Sequence, residues 1–280
     1  MEYSKGDAFK EAGEAKEPRP SPTEEAKPPV AIQSGYSKDD GVVQPKAFVV
    51  IFSGGNVREP DYFKLVTVNP SLFPMLKIKI LTEDRYYANH EPRVFTYAEL
   101  ETKAYRESAS EDHPDDYYVV TDVDVFISHI IAFKPRLESQ GIKMMISNPC
   151  FEVWLYYSKR ADKFEGFVAP ANPDALSSAV KTFVHTQTGG VNPMKALYDI
   201  ETSITNARAT YSEDANAIPA LFSTNMYVLA ERMEPLLQDG LVVLRKQDEE
   251  RIAFYKALRS DPDQKYCTVV DQIVKELKEK

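Results

Sequence analysis

Two carboxylates, Asp122 and Asp124, close a run of apolar residues (Tyr118, Val119, Val120) with one residue between them. If the run is a β-strand, both side chains leave the same face, at a strand end with little water around it. Like charges that close repel unless a proton or a cation sits between them. Hard divalent cations, Mg2+ above all, are held by one or two carboxylates together with water and substrate phosphates. Aspartates also cap helices, but a cap needs one of the two, not both. The spacing points to a metal site.

Glu152 is the next candidate. Asn148 as N-cap and Pro149 at the first helical position start a helix whose apolar face is Phe151, Trp154 and Leu155. Glu152 then falls one position past the capping-box site and points away from the core. It is either a ligand or an acid compensating the dipole of the first turn. Glu59, just before Pro60, reads first as an ordinary helix-start residue. Gly54–Gly55 could cradle a phosphate, but neither a P-loop nor a dinucleotide fingerprint surrounds it, and a tight turn is the simpler reading. The histidines (His90, His113, His129, His185) lack zinc-hydrolase spacing. Cys150 reads as a small buried residue, Asp199 and Glu201 as solvated acids, and Tyr86–Tyr87 and Tyr117–Tyr118 as packing aromatics.

The elements that must hold these residues alternate. Ala47–Phe52 is a continuous apolar run of the kind buried on both sheet faces. A helix over Asp61–Val68 follows, then a half-buried strand at Leu76–Leu81, a helix at Tyr97–Ser108, the strand ending at Asp122, a helix over Ile127–Gln140 and a strand at Met144–Ile146. Strands alternating with helices imply βαβ units and a mostly parallel sheet. The expected fold is therefore α/β over residues 46–160. Beyond Lys159 the pattern becomes helical: Asp174–His185, Met194–Ala209, Asn225–Gln238, Asp248–Arg259 and Gln264–Lys280, with a short strand possible at Leu241–Leu244. Residues 161–280 are read as a mainly helical region packed on the sheet. Residues 1–45, rich in Lys, Glu, Pro and Ser, read as a disordered tail.

Bulk composition narrows the classes. A hydrophobic fraction of 43% supports a sizeable core, and a net charge of −9 argues against coating nucleic acid by bulk attraction. A small basic groove remains compatible with it, with Arg58, Lys143, Lys159 and Lys195 as candidates. Two cysteines without a CxxC pair imply neither a disulfide framework nor structural zinc. The N-terminus has no apolar leader and no stretch is long enough to span a bilayer, so a soluble, cytoplasmic protein without a membrane partner is expected.

Together these residues resemble the RloB-like family, a Toprim-type branch associated with bacterial anti-phage loci. Ser147–Leu155 (SNPCFEVWL) is close to the family's SNPCFExWLL signature, Asp122–Val123–Asp124 matches the Toprim DxD, and Arg58–Phe63 (REPDYF) is similar to its TEPxYF. Ala196–Ala209 and Thr224–Leu229 fit the family's helical tail more loosely, and the likeness covers about residues 47–237. The resemblance implies a Toprim-like sheet flanked by helices and a nuclease that cleaves DNA or RNA with Mg2+ or Mn2+. It implies Glu59, Asp122, Asp124 and Glu152 as catalytic metal ligands and a partner ATPase; Arg58, Ser147, Asn148 and Lys159 are the candidate substrate-binding residues. Two departures stand out. The Glu that Toprim proteins carry after the first strand aligns with Gly54, and the His after the WLL run is Ser158. The alternative reading is a degenerate Toprim-like domain that binds rather than cuts, as a scaffold or sensor. A phosphotransferase would need a phosphate loop that the sequence lacks.

Overall fold

Strand β1 (Ala47–Ser53) is buried along its whole length, as a strand covered on both faces must be. The computed structural model describes residues 45–82, 93–109, 112–259 and 275. β1 pairs in parallel with β2 (Leu76–Thr82) on one side and β3 (Asp116–Asp122) on the other, and β4 (Ile142–Ser147) adds in parallel to β3. The resulting order, β2-β1-β3-β4, is that of a four-stranded parallel sheet. Connections leave β1 to one side and reach β3 on the other, so the topological switch lies between β1 and β3. In open parallel sheets ligands bind in the crevice beyond the carboxyl ends at such a point.

Alternation along β1 splits the core. Ala47, Val49 and Ile51 face one layer with α1 (Arg58–Val68) and α4 (Glu152–Tyr157), while Phe48, Val50 and Phe52 face α2 (Arg93–Glu107) and α3 (Ile127–Ser139). The first layer is much the larger, because the C-terminal helices extend it. These are α5 (Leu176–Thr188), α6 (Pro193–Ala196), α7 (Ile200–Thr210) and α8 (Met226–Arg259). The chain thus has the α/β, Toprim-like arrangement of a parallel sheet flanked by helices, with a helical second half.

One C-terminal expectation fails. Leu241–Leu244 is not a strand, and the two helices expected around it are a single 34-residue helix that runs through Pro235. Leu237, Leu241 and Leu244 are buried at a helical spacing and hold one continuous stripe against the core. Gly240 permits the passage: a Cβ there would stand 2.4 Å from the Leu72 carbonyl oxygen and from the Phe73 ring.

The edge of β4 is closed without a further strand. Asn225 accepts from the Ile146 N–H at 2.5 Å and its amide donates to the Met144 carbonyl at 2.9 Å. The backbone of Asn225 also donates to Ile146 O, and the Asn148 N–H donates to Ser223 O. This pairing satisfies backbone groups that an open edge would leave exposed. The expected disordered tail (except Pro45), Tyr86–Tyr87, His90, Cys267 and the expected helix at Gln264–Lys280 (except Lys275) lie outside the described residues.

Candidate functional site

Three acids from three separate elements flank the switch point. Asp122 is the last residue of β3, Glu59 lies in the first turn of α1, and Glu152 is the first residue of α4. Glu59 is buried at 5% exposure and Glu152 at 7%. α1 begins at Arg58, and its N-cap Val57 offers no side-chain bond, so Glu59 is inside the helix rather than flanking it. Its carboxylate lies over Gly55, filling the space a Cβ would take. The turn is closed by Ser53 Oγ donating to Gly55 O at 2.6 Å and by Gly54 N–H donating to Val120 O at 2.8 Å. The Gly54–Gly55 turn therefore seats a carboxylate, not a phosphate.

Local structure around the other acids differs from expectation. β3 stops at Asp122, and Asp124 opens a short 3-10 turn with φ of 25°. The two aspartates are not a strand pair on one face. Asp124 is exposed, and its N–H donates to Pro149 O at 3.1 Å, which ties the turn to the start of the α4 region. Asn148 does not cap α4 and Pro149 is not its first residue. The Asn148–Pro149 peptide is cis, and α4 starts at Glu152 after a turn in which Val153 N–H donates to Cys150 O. Every residue of α4 is buried, so Glu152 faces inward among packed groups.

The residues expected on the substrate side separate. Arg58 reaches the site, with Nε 3.6 Å from Glu152 Oε1. Ser147 is buried, and its hydroxyl meets Thr224 Oγ1 at 2.9 Å. The Asn148 amide donates to Pro219 O at 2.8 Å and anchors the loop beside β4. Lys159 pairs with Asp199, Lys143 with Asp116 near the opposite end of β3, and Lys195 with Asp248. The expected basic strip does not form.

Electrostatics mark Asp122 as the centre. Burial first, then the charges of Glu59 and Glu152 and, less strongly, Asp124 hold its carboxyl well above the usual range. Burial likewise raises Glu59, with Glu152 adding to it. Asp122 Oδ1 is buried without a hydrogen-bond partner. Buried polar atoms are normally paired, and an orphan calls for an ion, a water or a proton. Among the described residues no three His, Cys, Asp or Glu side chains converge closely enough to cage a metal. A carboxylate set of this kind still fits Mg2+ or Mn2+, which take one or two protein carboxylates and complete their shell with water. Asp122 with Glu59 or Glu152 would hold it. Cys150 is fully buried, and burial and the neighbouring Glu152 and Asp122 charges raise its thiol, so it remains an inert SH.

Beside Glu152 a cleft of about 520 Å3 opens, bounded by α1, α5 and the loop from Gly189 to Pro193. Arg58, Lys181 and His185 line it with Glu152. Lys181 feels the attraction of Glu152, Asp122 and Asp124, which raises its pKa against the opposing effect of burial. No motif singled out Lys181. Its spacing was the available signal: Val180 and Val184 are buried, and Lys181 and His185 repeat the same four-residue step on the adjacent stripe.

A parallel α/β domain whose buried carboxylates and cations flank the topological switch is thereby defined. The chain belongs to the RloB-like family: the model described as "RloB-like protein" matches residues 49–233. Comparison with curated proteins and with solved structures returned no match. No helix among the described residues is long and apolar enough to cross a membrane.

Proposed function

We propose that this chain is a Mg2+- or Mn2+-dependent nuclease that hydrolyses phosphodiesters of DNA or RNA, in bacterial phage defence beside a partner ATPase. The observation that carries the chemistry is the orphaned Asp122 Oδ1, buried at the switch point within the electrostatic reach of Glu59 and Glu152. Asp122 and Glu59, each held up by burial and by the charge of neighbouring acids, favour a bound cation over ionised carboxylates left unpaired. The setting in defence and the ATPase rest on the family resemblance alone.

When bound, a divalent cation neutralises charge on the phosphodiester and acidifies water. The chain's own residues do the rest. Asp122, with Glu59 or Glu152, supplies the ligands; Asp124 adds negative charge from the rim. Arg58 orients Glu152 from 3.6 Å. Phosphoryl transfer of this kind needs mainly positioning and charge stabilisation.

A second reading is a domain that binds without cutting, favoured by Gly54 at the position of the Toprim first-strand Glu. A Cβ at Gly54 would stand 3.0 Å from Thr121 Oγ1 and 3.2 Å from Val120 O, so this turn has been packed around a glycine. Calorimetric titration of Mn2+ into wild type and Asp122→Asn tests the main proposal, with cleavage of labelled DNA and RNA as the following assay. Binding by wild type that the substitution removes supports the metal site. No binding at millimolar Mn2+ overturns it, and binding with no cleavage of any substrate favours the second reading.

A further inference from the structure

The cleft beside Glu152 differs from the carboxylate centre in charge and in shape. Glu152 is shared, but the cleft presents Arg58 from the start of α1 and Lys181 and His185 from α5. Val191, half-buried, adds apolar surface between them, with the buried Leu155 and Val184 behind it. Pockets of roughly 300–1,000 Å3 enclose a small organic ligand, and at about 520 Å3 this one matches one or two nucleotides, not a duplex. Lys181 extends over the cleft with its charge balanced by Glu152, Asp122 and Asp124 through space, without an ion pair among the described residues. Lys143, Lys159 and Lys195, by contrast, are engaged by Asp116, Asp199 and Asp248. The chain as a whole carries −9. At the site Lys181 is joined by Arg58, which touches Glu152 through Nε at 3.6 Å but stays half-exposed with further N–H donors, and the two make a short contact set without the track that a double-stranded backbone would follow.

We infer that this cleft is a subsite for an unpaired nucleotide, with Lys181 and Arg58 on the phosphate flanking the cleaved bond and the apolar wall against sugar and base. The inference deepens the nuclease reading and rests on it for the reaction, but the anion contact itself does not require catalysis. Two phosphate contacts on a single strand correspond to a salt slope of about −1.4 in log K against log salt. A track along a duplex would give a far steeper one.

The test is fluorescence anisotropy of a labelled single-stranded decanucleotide and of the duplex with the same sequence, in Ca2+ and in EDTA, over a range of salt. DNA and RNA versions are both run, and whichever binds identifies the sugar. Wild type is expected to bind the single strand at least tenfold more tightly than the duplex, with the shallow slope. Lys181→Gln and Arg58→Gln are each expected to weaken the single strand about tenfold. Lys181 is exposed, so its substitution is expected to leave the melting temperature nearly unchanged, and removing its charge from beside Asp122 and Glu152 is expected to strengthen Mn2+ binding and not to weaken it. Equal affinity for the duplex, wild-type affinity in Lys181→Gln, or no single-strand binding by protein that binds Mn2+ would each overturn the subsite. Lys181-dependent binding of the single strand by protein that takes no Mn2+ would support the subsite and sink the nuclease.

Discussion

The carboxylate of Glu59 lies over Gly55 so closely that a Cβ on the glycine would stand 2.2 Å from Oε2 and 2.5 Å from Oε1. The missing side chain is what allows an acid from α1 to reach the end of the sheet. Gly55→Ala meets only the tip of a flexible side chain, so it is expected to push Glu59 aside at little cost to folding. The consequence falls on the metal. Mn2+ affinity is expected to drop about tenfold, in the range seen when groups orienting a ligand are disturbed, with the melting temperature of the metal-free protein nearly constant. Calorimetry and thermal melts on the same samples separate the two effects.

Gly54 predicts the opposite pattern. Its neighbours are Thr121 Oγ1 at 3.0 Å and the backbone oxygen of Val120 at 3.2 Å, and a carbonyl within a parallel sheet cannot swing away. Gly54→Ala is expected to cost about 1–3 kcal/mol through overpacking, read as a lower melting temperature. Thr121→Ala is expected to recover part of that loss in a double-mutant cycle. Gly54→Glu should be at least as destabilising, so restoring the Toprim acid here is not expected to improve metal binding by itself. A Gly54→Glu protein as stable as wild type would show that the turn accepts the acid.

Asp122 sets a pH dependence of the metal-free protein. Its carboxyl is raised in the folded state above the ordinary value of 3.8. Between those values the folded protein holds a proton that the unfolded chain has lost, so stability falls as pH rises through that window. In EDTA, melting temperature is expected to decline from about pH 4 upward, and Asp122→Asn is expected to flatten the decline and melt higher than wild type at pH 8. Saturating Mn2+ should restore wild type and leave Asp122→Asn unchanged. Identical pH profiles for the two proteins in EDTA would contradict the assignment.

Asn225 is expected to matter for folding and not for chemistry. Its side chain satisfies Ile146 N–H and Met144 O along the edge of β4. Asn225→Ala leaves both groups unpaired, at about 1–3 kcal/mol for each buried polar group stranded. A lower melting temperature with unchanged Mn2+ affinity below the transition is the expected result. A selective loss of metal binding would mean that the β4 edge positions Glu152 more tightly than its hydrogen bonds show.

Much of the sheet was legible because apolar runs and their alternation depend on burial, which sequence records directly. Ala47–Phe52, Leu76–Leu81 and the run into Asp122 each contain or closely match a strand, and the alternating order gave the α/β class. The family signature was legible for the same local reason: SNPCFEVWL and REPDYF are contiguous. Helix boundaries were less so. Leu241–Leu244 reads locally as a strand of apolar residues, but packing on the Leu72–Phe73 loop kept it within α8.

The acids Glu59, Asp122 and Glu152 were therefore nameable from the chain alone, since each sits beside a strand end or helix start that its neighbours specify. Only the tertiary structure decided what surrounds them. It placed Asp124 on a separate turn, seated Glu59 over Gly55, assigned Ser147 and Asn148 to the β4 edge, and dispersed Lys143, Lys159 and Lys195 into ion pairs. It also brought Lys181 and His185 of α5 to the cleft beside Glu152. Local sequence encodes propensity and periodicity. The meeting of a lysine with acids far from it in the chain depends on how helices pack across the sheet, and no short pattern carries that information.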